Sequence, residues 1–293
     1  MGKRGFITLG IDTGEDKIKH CYALACSLKI SDPNAEICLV VDKGRIDFVN
    51  EYYEHIFDYI VELPYGNSAH KDGFHGMNLW QVYHCTPFEE TIYLDYDTLL
   101  VDCDIKTLWD LVSVNDLSFP GNANNYKGQS AAKQMRFEYE LQYKLPTLFY
   151  NLIYWKQKST EAIEWFKMAD PVLQYWRDVY NKVFTDKKPN AFEKNLLCNL
   201  VTHFVDMEID TRVFLNHHTD MHVKSHGIFV DDLPERWTEF LNVWVTNHKK
   251  IQIENYILSS GIIHYSDETF LTEEVMNVYR AEFITQSKKR QAA

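Results

Sequence analysis

"TIYLDYDTLLVD", residues 91–102, sets three acids in and beside what otherwise reads as a buried strand. Ile92, Tyr93 and Leu94 lead into Asp95 and Asp97, and Leu99, Leu100 and Val101 follow before Asp102. The apolar residues on either side read as buried strand, where a carboxylate without a partner is costly. On a strand, two acids one residue apart project from the same face, because side chains alternate. They repel there unless one takes a proton or a cation lies between them. Hard oxygen ligands of this kind suit Mg²⁺ or Mn²⁺. A solvated turn after a strand is the plainer explanation, and the apolar residues before and after the pair oppose it.

Working outward, "FITLGID" (6–12) and "EICLVVD" (36–42) read as two more buried strands, and the apolar segment "IFDYIVEL" (56–63) repeats the pattern. Ile18, Cys21, Tyr22, Ala25 and Leu28 recur at helical spacing and predict a helix from about Lys17 to Ile30. Further helices are expected around 46–55, within 73–85 and at "IKTLWDLV" (105–112). Strands alternating with helices predict an α/β fold with a mostly parallel sheet, whose ligands gather at the carboxyl ends of the strands. Asp12, Asp42 and Asp95 all stand at such ends. Beyond residue 113 the pattern loosens. "NDLSFP" and "TLFYNLIYW" (147–155) read as strands, two helices are expected around Pro171 and another over 191–204, and a terminal helix near 272–284. No linker or repeat divides the chain. One domain is expected over 1–293, its two halves meeting near residue 113.

Composition narrows the function. With 30 Lys plus Arg against 42 Asp plus Glu, the net charge of −12 opposes general attraction to nucleic acid or anionic membranes. The hydrophobic fraction of 45% supports a sizeable core. No stretch is long and apolar enough for a membrane span, and "MGKRGFITLGID" lacks the apolar core of a signal peptide. The six cysteines form no CxxC pair, so reduced, buried thiols and a cytoplasmic setting are expected.

The N-terminal strand and helix, followed by the block "LDxDTLLVxxDIxxLW", resemble the GT-A-fold, nucleotide-sugar-dependent glycosyltransferases of the glycogenin-like type (family 8). "TPFEETIYLDYDTLLVD" is also similar to glycosyltransferase-type proteins encoded by tailed bacteriophages. The resemblance is clearest over 6–113 and returns near 147–155 and 255–272. It implies a GT-A-like Rossmann-type domain that moves a sugar from a nucleoside diphosphate, UDP foremost, to a hydroxyl acceptor with retention of configuration. It implies Mn²⁺ or Mg²⁺ held by Asp95, Asp97 and a late histidine, for which "GIIHYSDETF" offers His264. Leu9, Gly10, Ile11 and Asp12 match the strand end that holds the uracil and ribose, and Tyr96 joins the donor-binding set. Asp12 as a helix cap and Tyr22 as a core residue are the competing readings there. Lys71, in "HKDGFHGMNLW", is the candidate for the diphosphate lysine. Asn151, in "FYNLIYW", matches an asparagine on a strand facing the donor sugar, and Glu193, in "NAFEKNLL", stands where the family has an acid near the reacting sugar. The chain departs from the family after His264, where no glycine and lysine follow to steady the leaving phosphates. Lys71, Arg212 and Lys224 are the cations available to replace that lysine.

"NHHTDMHVKSH" places His218, His222 and His226 on one face if it is a continuous helix, a spacing that suits Zn²⁺. No HExxH glutamate accompanies them, and GxGxxG, GxxxxGK[ST] and GxSxG are all absent. A non-catalytic nucleotide-sugar-binding or scaffold protein on the same fold remains the rival to the enzyme. A nucleotidyltransferase is disfavoured because no glycine-rich segment follows the first strand. On the acceptor side, residues 121–144 carry four Lys/Arg against two Glu, with aromatics interleaved. Two readings stay open there. One is a lid closing over the donor; the other is a grip on a DNA strand whose hydroxymethylated base is flipped out, as in phage DNA.

Overall fold

A computed structural model describes residues 3–11, 17–53, 55–69, 73–129, 142–146, 148–185, 188–207, 218–221, 236–246 and 248–291. Its main sheet has six strands: β1 (Arg4–Gly10), β2 (Ile37–Val41), β3 (Tyr59–Glu62), β4 (Glu90–Leu94), β6 (Leu117–Ser118) and β7 (Leu152–Lys156). They lie in the order β3-β2-β1-β4-β7-β6. The first four are mutually parallel, and β7 runs antiparallel to both β4 and β6. This is the mostly parallel α/β sheet that the alternation of elements predicts.

Side chains alternate between two cores. Phe6, Leu39, Ile92, Leu94 and Tyr154 face the helix Lys17–Ser31 and the terminal helix Glu273–Gln291. Ile7, Leu9, Val40, Tyr93 and Trp155 face the helices Thr160–Gln174 and Lys194–Phe204. Burial on both faces explains why β1, β2 and β4 read as continuous apolar runs rather than as alternating ones.

A second sheet of three strands positions the site. It joins β5 (Thr98–Val101), β12 (Gly261–His264) and β8 (His218–Asp220) in the order β5-β12-β8. β12 pairs antiparallel to β5 and parallel to β8. A third, antiparallel sheet holds β9 (Val243–Val245), β10 (Ile251–Ile253) and β11 (Tyr256–Leu258).

Several expectations shift. The break near Pro171 falls instead at Tyr175, between the helices Thr160–Gln174 and Trp176–Val183. Pro171 sits in the last turn of the first helix, and its carbonyl still accepts from the Tyr175 N–H at 3.0 Å. The strand expected over 147–155 begins only at Leu152, which leaves Asn151 in the turn before it. The helix expected within 73–85 is a 3₁₀ segment, His75–Gln81, continued by one α-turn, Val82–Cys85. His218 lies in β8, so a continuous helix through the histidine cluster fails at its first member. His222 and His226 lie outside the described residues. The six cysteines are free and, apart from Cys103, fully buried. No described helix is long and apolar enough to cross a membrane.

Candidate functional site

β4 ends at Leu94 and β5 begins at Thr98, so Asp95, Tyr96 and Asp97 form the connection between two sheets. The two acids converge because the chain turns there, not because they share a strand face as the pleat suggests. Both carboxylates are nevertheless buried, with Asp95 4% and Asp97 6% exposed. The backbone is fixed from both sides. Asp95 N–H donates to the Asn151 carbonyl at 2.9 Å, and Tyr265 N–H donates to the Asp97 carbonyl at 2.9 Å. Tyr93, two residues before the turn, donates its hydroxyl to Asp95 Oδ1 at 2.7 Å.

His264 arrives through the register of the second sheet, where it pairs with Thr98, the residue after Asp97. Its Nε2 lies 3.0 Å from Asp97 Oδ1 and 3.8 Å from Asp95 Oδ2. Its Nδ1 faces Asp220 Oδ2 at 3.5 Å, from β8, and Ser266 Oγ at 3.3 Å. A carboxylate behind the far ring nitrogen fixes the ring and raises its basicity, an arrangement common behind metal-bound histidines. Burial acts to lower the pKa of this imidazole, but Asp97 and Asp220 outweigh it and hold the pKa well above the ordinary histidine value.

One ligand atom from each of Asp95, Asp97 and His264 lies within 4.8 Å of the others. Asp97 Oδ1 is buried and receives no aligned hydrogen bond, so His264 meets it as an ion-pair partner only. Two carboxylates and an imidazole with an acceptor atom left open fit a divalent ion such as Mn²⁺ or Mg²⁺. Replacing His264 by alanine is expected to weaken Mn²⁺ binding roughly 10- to 100-fold, the scale of a damaged coordination site. Calorimetric titration checks this, and unchanged affinity would make His264 a purely structural residue.

Lys194 is the site residue that sequence reasoning missed. It opens the helix Lys194–Phe204, and its Nζ is hydrogen-bonded to Asp95 Oδ2. Burial opposes both charges. For Asp95, the attraction of Lys194, His264 and His75 prevails and lowers the pKa to about 2. For Lys194, Asp95 and Asp97 overcome the burial penalty and raise its pKa. Glu193, picked out from the sequence, precedes it at the helix N-cap, where its backbone N–H donates to the Tyr180 hydroxyl at 3.3 Å.

A belt of aromatic and charged groups surrounds Tyr96. Its hydroxyl donates to Glu268 Oε1 at 2.7 Å, Glu268 also binds Lys17, and the His75 ring lies 4.7 Å from the Tyr96 ring. His75 Nε2 contacts the Leu9 carbonyl at 3.0 Å. Burial lowers the His75 pKa to about 4, so the ring is neutral near pH 7 and donates this bond. Leu9 and Ile11 are fully buried, so their side chains belong to the core. Gly10 is a packing glycine: a Cβ there would meet Leu39 at 3.0 Å, Ile18 at 3.2 Å and Cys21 at 3.3 Å. Tyr22 is core, packed on Tyr53 with ring centroids 5.1 Å apart. Asn151 is buried at the carboxyl side of β4, where its carbonyl holds Asp95. Asp12, Lys71, Arg212 and Lys224 lie outside the described residues.

One signal could have revealed Lys194. A cation in the first turn of a helix opposes the helix dipole and invites the question of what anion it meets. Asp220 and His75 carried no comparable mark.

No protein-family model matches the sequence, and no curated protein does. Solved structures do match in fold. The galactosyltransferase LgtC, in complex with donor and acceptor sugar analogs, aligns over 96% of this chain and 95% of its own, with a TM-score of 0.50 and 13% identity. The glycosyltransferase GlyE of Streptococcus pneumoniae TIGR4 aligns over 68% of this chain with a TM-score of 0.40 and 13% identity. The chain spans 43% of the length of GlyE. The inositol-1-phosphate CTP transferase of T. maritima aligns over 96% of both chains, with a TM-score of 0.43 and 9% identity. The likeness to LgtC shows the fold, a GT-A-like α/β arrangement around a mostly parallel sheet.

Proposed function

We propose that this protein is a metal-dependent glycosyltransferase that moves a sugar from a nucleoside diphosphate, UDP in the first instance, to a hydroxyl acceptor. The observation that carries the reading is the cluster of two buried carboxylates, Asp95 and Asp97, with the half-buried His264 at the carboxyl end of β4 on a GT-A-like sheet. Asp95, Asp97 and His264 would hold Mn²⁺ or Mg²⁺. Such an ion supplies positive charge to the diphosphate as the nucleotide departs. The protein's own part is orientation. Asp220 aims His264, Tyr93 aims Asp95, and the Asn151 carbonyl fixes the turn that carries the acids. The end of β1, with Tyr96 beside it, is proposed to receive the nucleoside, and the segment carrying Asn151 and Glu193 to face the donor sugar. Retention of configuration is proposed by analogy with the glycogenin-like enzymes.

Residues 121–144 are assigned to the acceptor side, first as a closing lid. Their basic and aromatic content favours a second reading, a DNA strand with a flipped-out hydroxymethylated base, against the overall charge of −12. Lys127 lies over the Tyr126 ring, 5.4 Å from its centroid, while 130–141 lie outside the described residues. Duplex binding that falls steeply with salt would support DNA as acceptor. Undetectable binding at low ionic strength leaves a glycan, protein or small-molecule hydroxyl.

Release of UDP from UDP-sugars, followed with Mn²⁺ and with chelator, separates the enzyme from a non-catalytic scaffold. Slow, Mn²⁺-dependent hydrolysis is the expected result. Binding of UDP-sugar with no turnover under either condition, and in the presence of varied acceptors, would favour the scaffold.

A further inference from the structure

We propose that Lys194 is a built-in counter-ion that occupies the cation position of the metal-free site, and that it leaves Asp95 for the donor's diphosphate when metal and nucleotide bind together. The inference rests on the metal reading above and adds to it a residue that controls when the metal is held.

Three observations converge on it. Tyr93 already donates to Asp95 Oδ1, so the oxygen that faces His264 is Oδ2, and Lys194 Nζ is bonded to that oxygen. An ion held by Asp95 and His264 would draw on the oxygen that Lys194 already occupies, so ammonium and metal would compete there. Next, the lysine stands where a helix disfavours a cation. It is the first residue of Lys194–Phe204, and Glu193 before it makes no side-chain capping bond. Asp95 is what holds the ammonium against that field. Finally, the fold makes room for the lysine stem. A Cβ on Gly76 would meet Lys194 Cδ at 3.2 Å and Cγ at 3.3 Å, with Phe192 at 3.0 Å on the other side. A side chain at 76 would crowd the lysine stem by a few tenths of an ångström.

Charge then sets the order of events. In the metal-free site the Lys194 ammonium lies on Asp95, whose carboxylate shares the site with that of Asp97. A divalent ion alone neutralises the carboxylates and strands Lys194 beside a like charge, so metal without nucleotide binds weakly. A nucleoside diphosphate supplies anionic oxygens within reach of the displaced ammonium. Lys194 thereby takes the place of the phosphate-steadying lysine that is missing after His264, and it couples metal binding to donor binding.

The test is a Mn²⁺ titration of the protein alone and with saturating UDP, for the wild type, Lys194→Met, Lys194→Arg and Asp97→Ala. Lys194→Met is expected to bind Mn²⁺ alone about tenfold more tightly than wild type, and to lose most of the enhancement that UDP gives. Its melting temperature should fall without Mn²⁺ and recover with it, a rescue that a merely structural lysine would not show. Lys194→Arg should keep the wild-type coupling. Should Lys194→Met fail to fold, Gly76→Ala crowds the lysine stem without removing its charge and is expected to shift Mn²⁺ affinity the same way. Mn²⁺ affinity that is unchanged or weaker in Lys194→Met and Gly76→Ala, while Asp97→Ala loses binding, overturns the counter-ion role alone. If Asp97→Ala binds Mn²⁺ like wild type, the metal reading fails and takes the inference with it.

Discussion

Asp97→Ala is expected to abolish Mn²⁺-dependent UDP binding, with affinity in Mn²⁺ falling by about 100-fold or more toward the metal-free level, while the fold is retained. The reason lies in where Asp97 stands. Its Oδ1 is buried, takes no aligned hydrogen bond and faces His264 at 3.0 Å, so it is available to an ion and to little else. Removing it leaves His264 with Asp220 behind it and Asp95 at 3.8 Å, and leaves the Lys194–Asp95 bond untouched. The stability cost should stay within about 1 kcal/mol, since a repulsion between two acids disappears together with one ion-pair contact. Calorimetry with UDP, with and without Mn²⁺, reads the affinity, and urea unfolding reads the stability. Unaltered UDP affinity in Mn²⁺ would remove Asp97 from the site.

Asp95→Ala should behave differently although it stands two residues away. It loses metal-dependent binding as Asp97→Ala does, and it also destabilises the protein. Asp95 receives the Tyr93 hydroxyl on one oxygen and Lys194 on the other, and its backbone N–H is tied to Asn151. Truncation leaves a largely buried ammonium with no carboxylate on it, and breaking a buried pair from one side costs about 3 kcal/mol or more. Lys194 keeps 19% of its side-chain surface exposed, which places the cost at the lower end. The double variant Asp95→Ala with Lys194→Met should recover much of that loss, because the stranded charge goes with it. Equal unfolding midpoints for Asp95→Ala and Asp97→Ala would mean that Lys194 carries no weight on Asp95.

The carboxyl end of the sheet was legible in the sequence because burial writes itself into composition. β1, β2 and β4 are covered on both faces, so each is a run of apolar residues that ends where an acid or glycine begins. The acid pair and His264 followed from chemistry and resemblance. Their meeting, however, depends on a register between β5 and β12, and pairing over more than 150 residues leaves no local trace. The same limit hid Asp220, which reaches His264 only because β8 lies along β12. Lys194 was hidden for another reason. Its neighbour Glu193 offered the more familiar chemistry, while the lysine's partner, Asp95, lies 99 residues upstream. The strand face assumed for Asp95 and Asp97 also misled, since the residues around them are apolar whether the acids lie on a strand or in the turn that links two strands.

Donor binding should depend on an ion that Asp95, Asp97 and His264 hold together. Crystals grown with Mn²⁺ and UDP, measured on the long-wavelength side and the short-wavelength side of the manganese edge, test it most directly. The expected result is a single anomalous peak within coordinating distance of Asp95, Asp97 and His264 Nε2, with diphosphate oxygens completing the shell. A peak elsewhere, or UDP bound in full occupancy with no manganese at these three side chains, would contradict it.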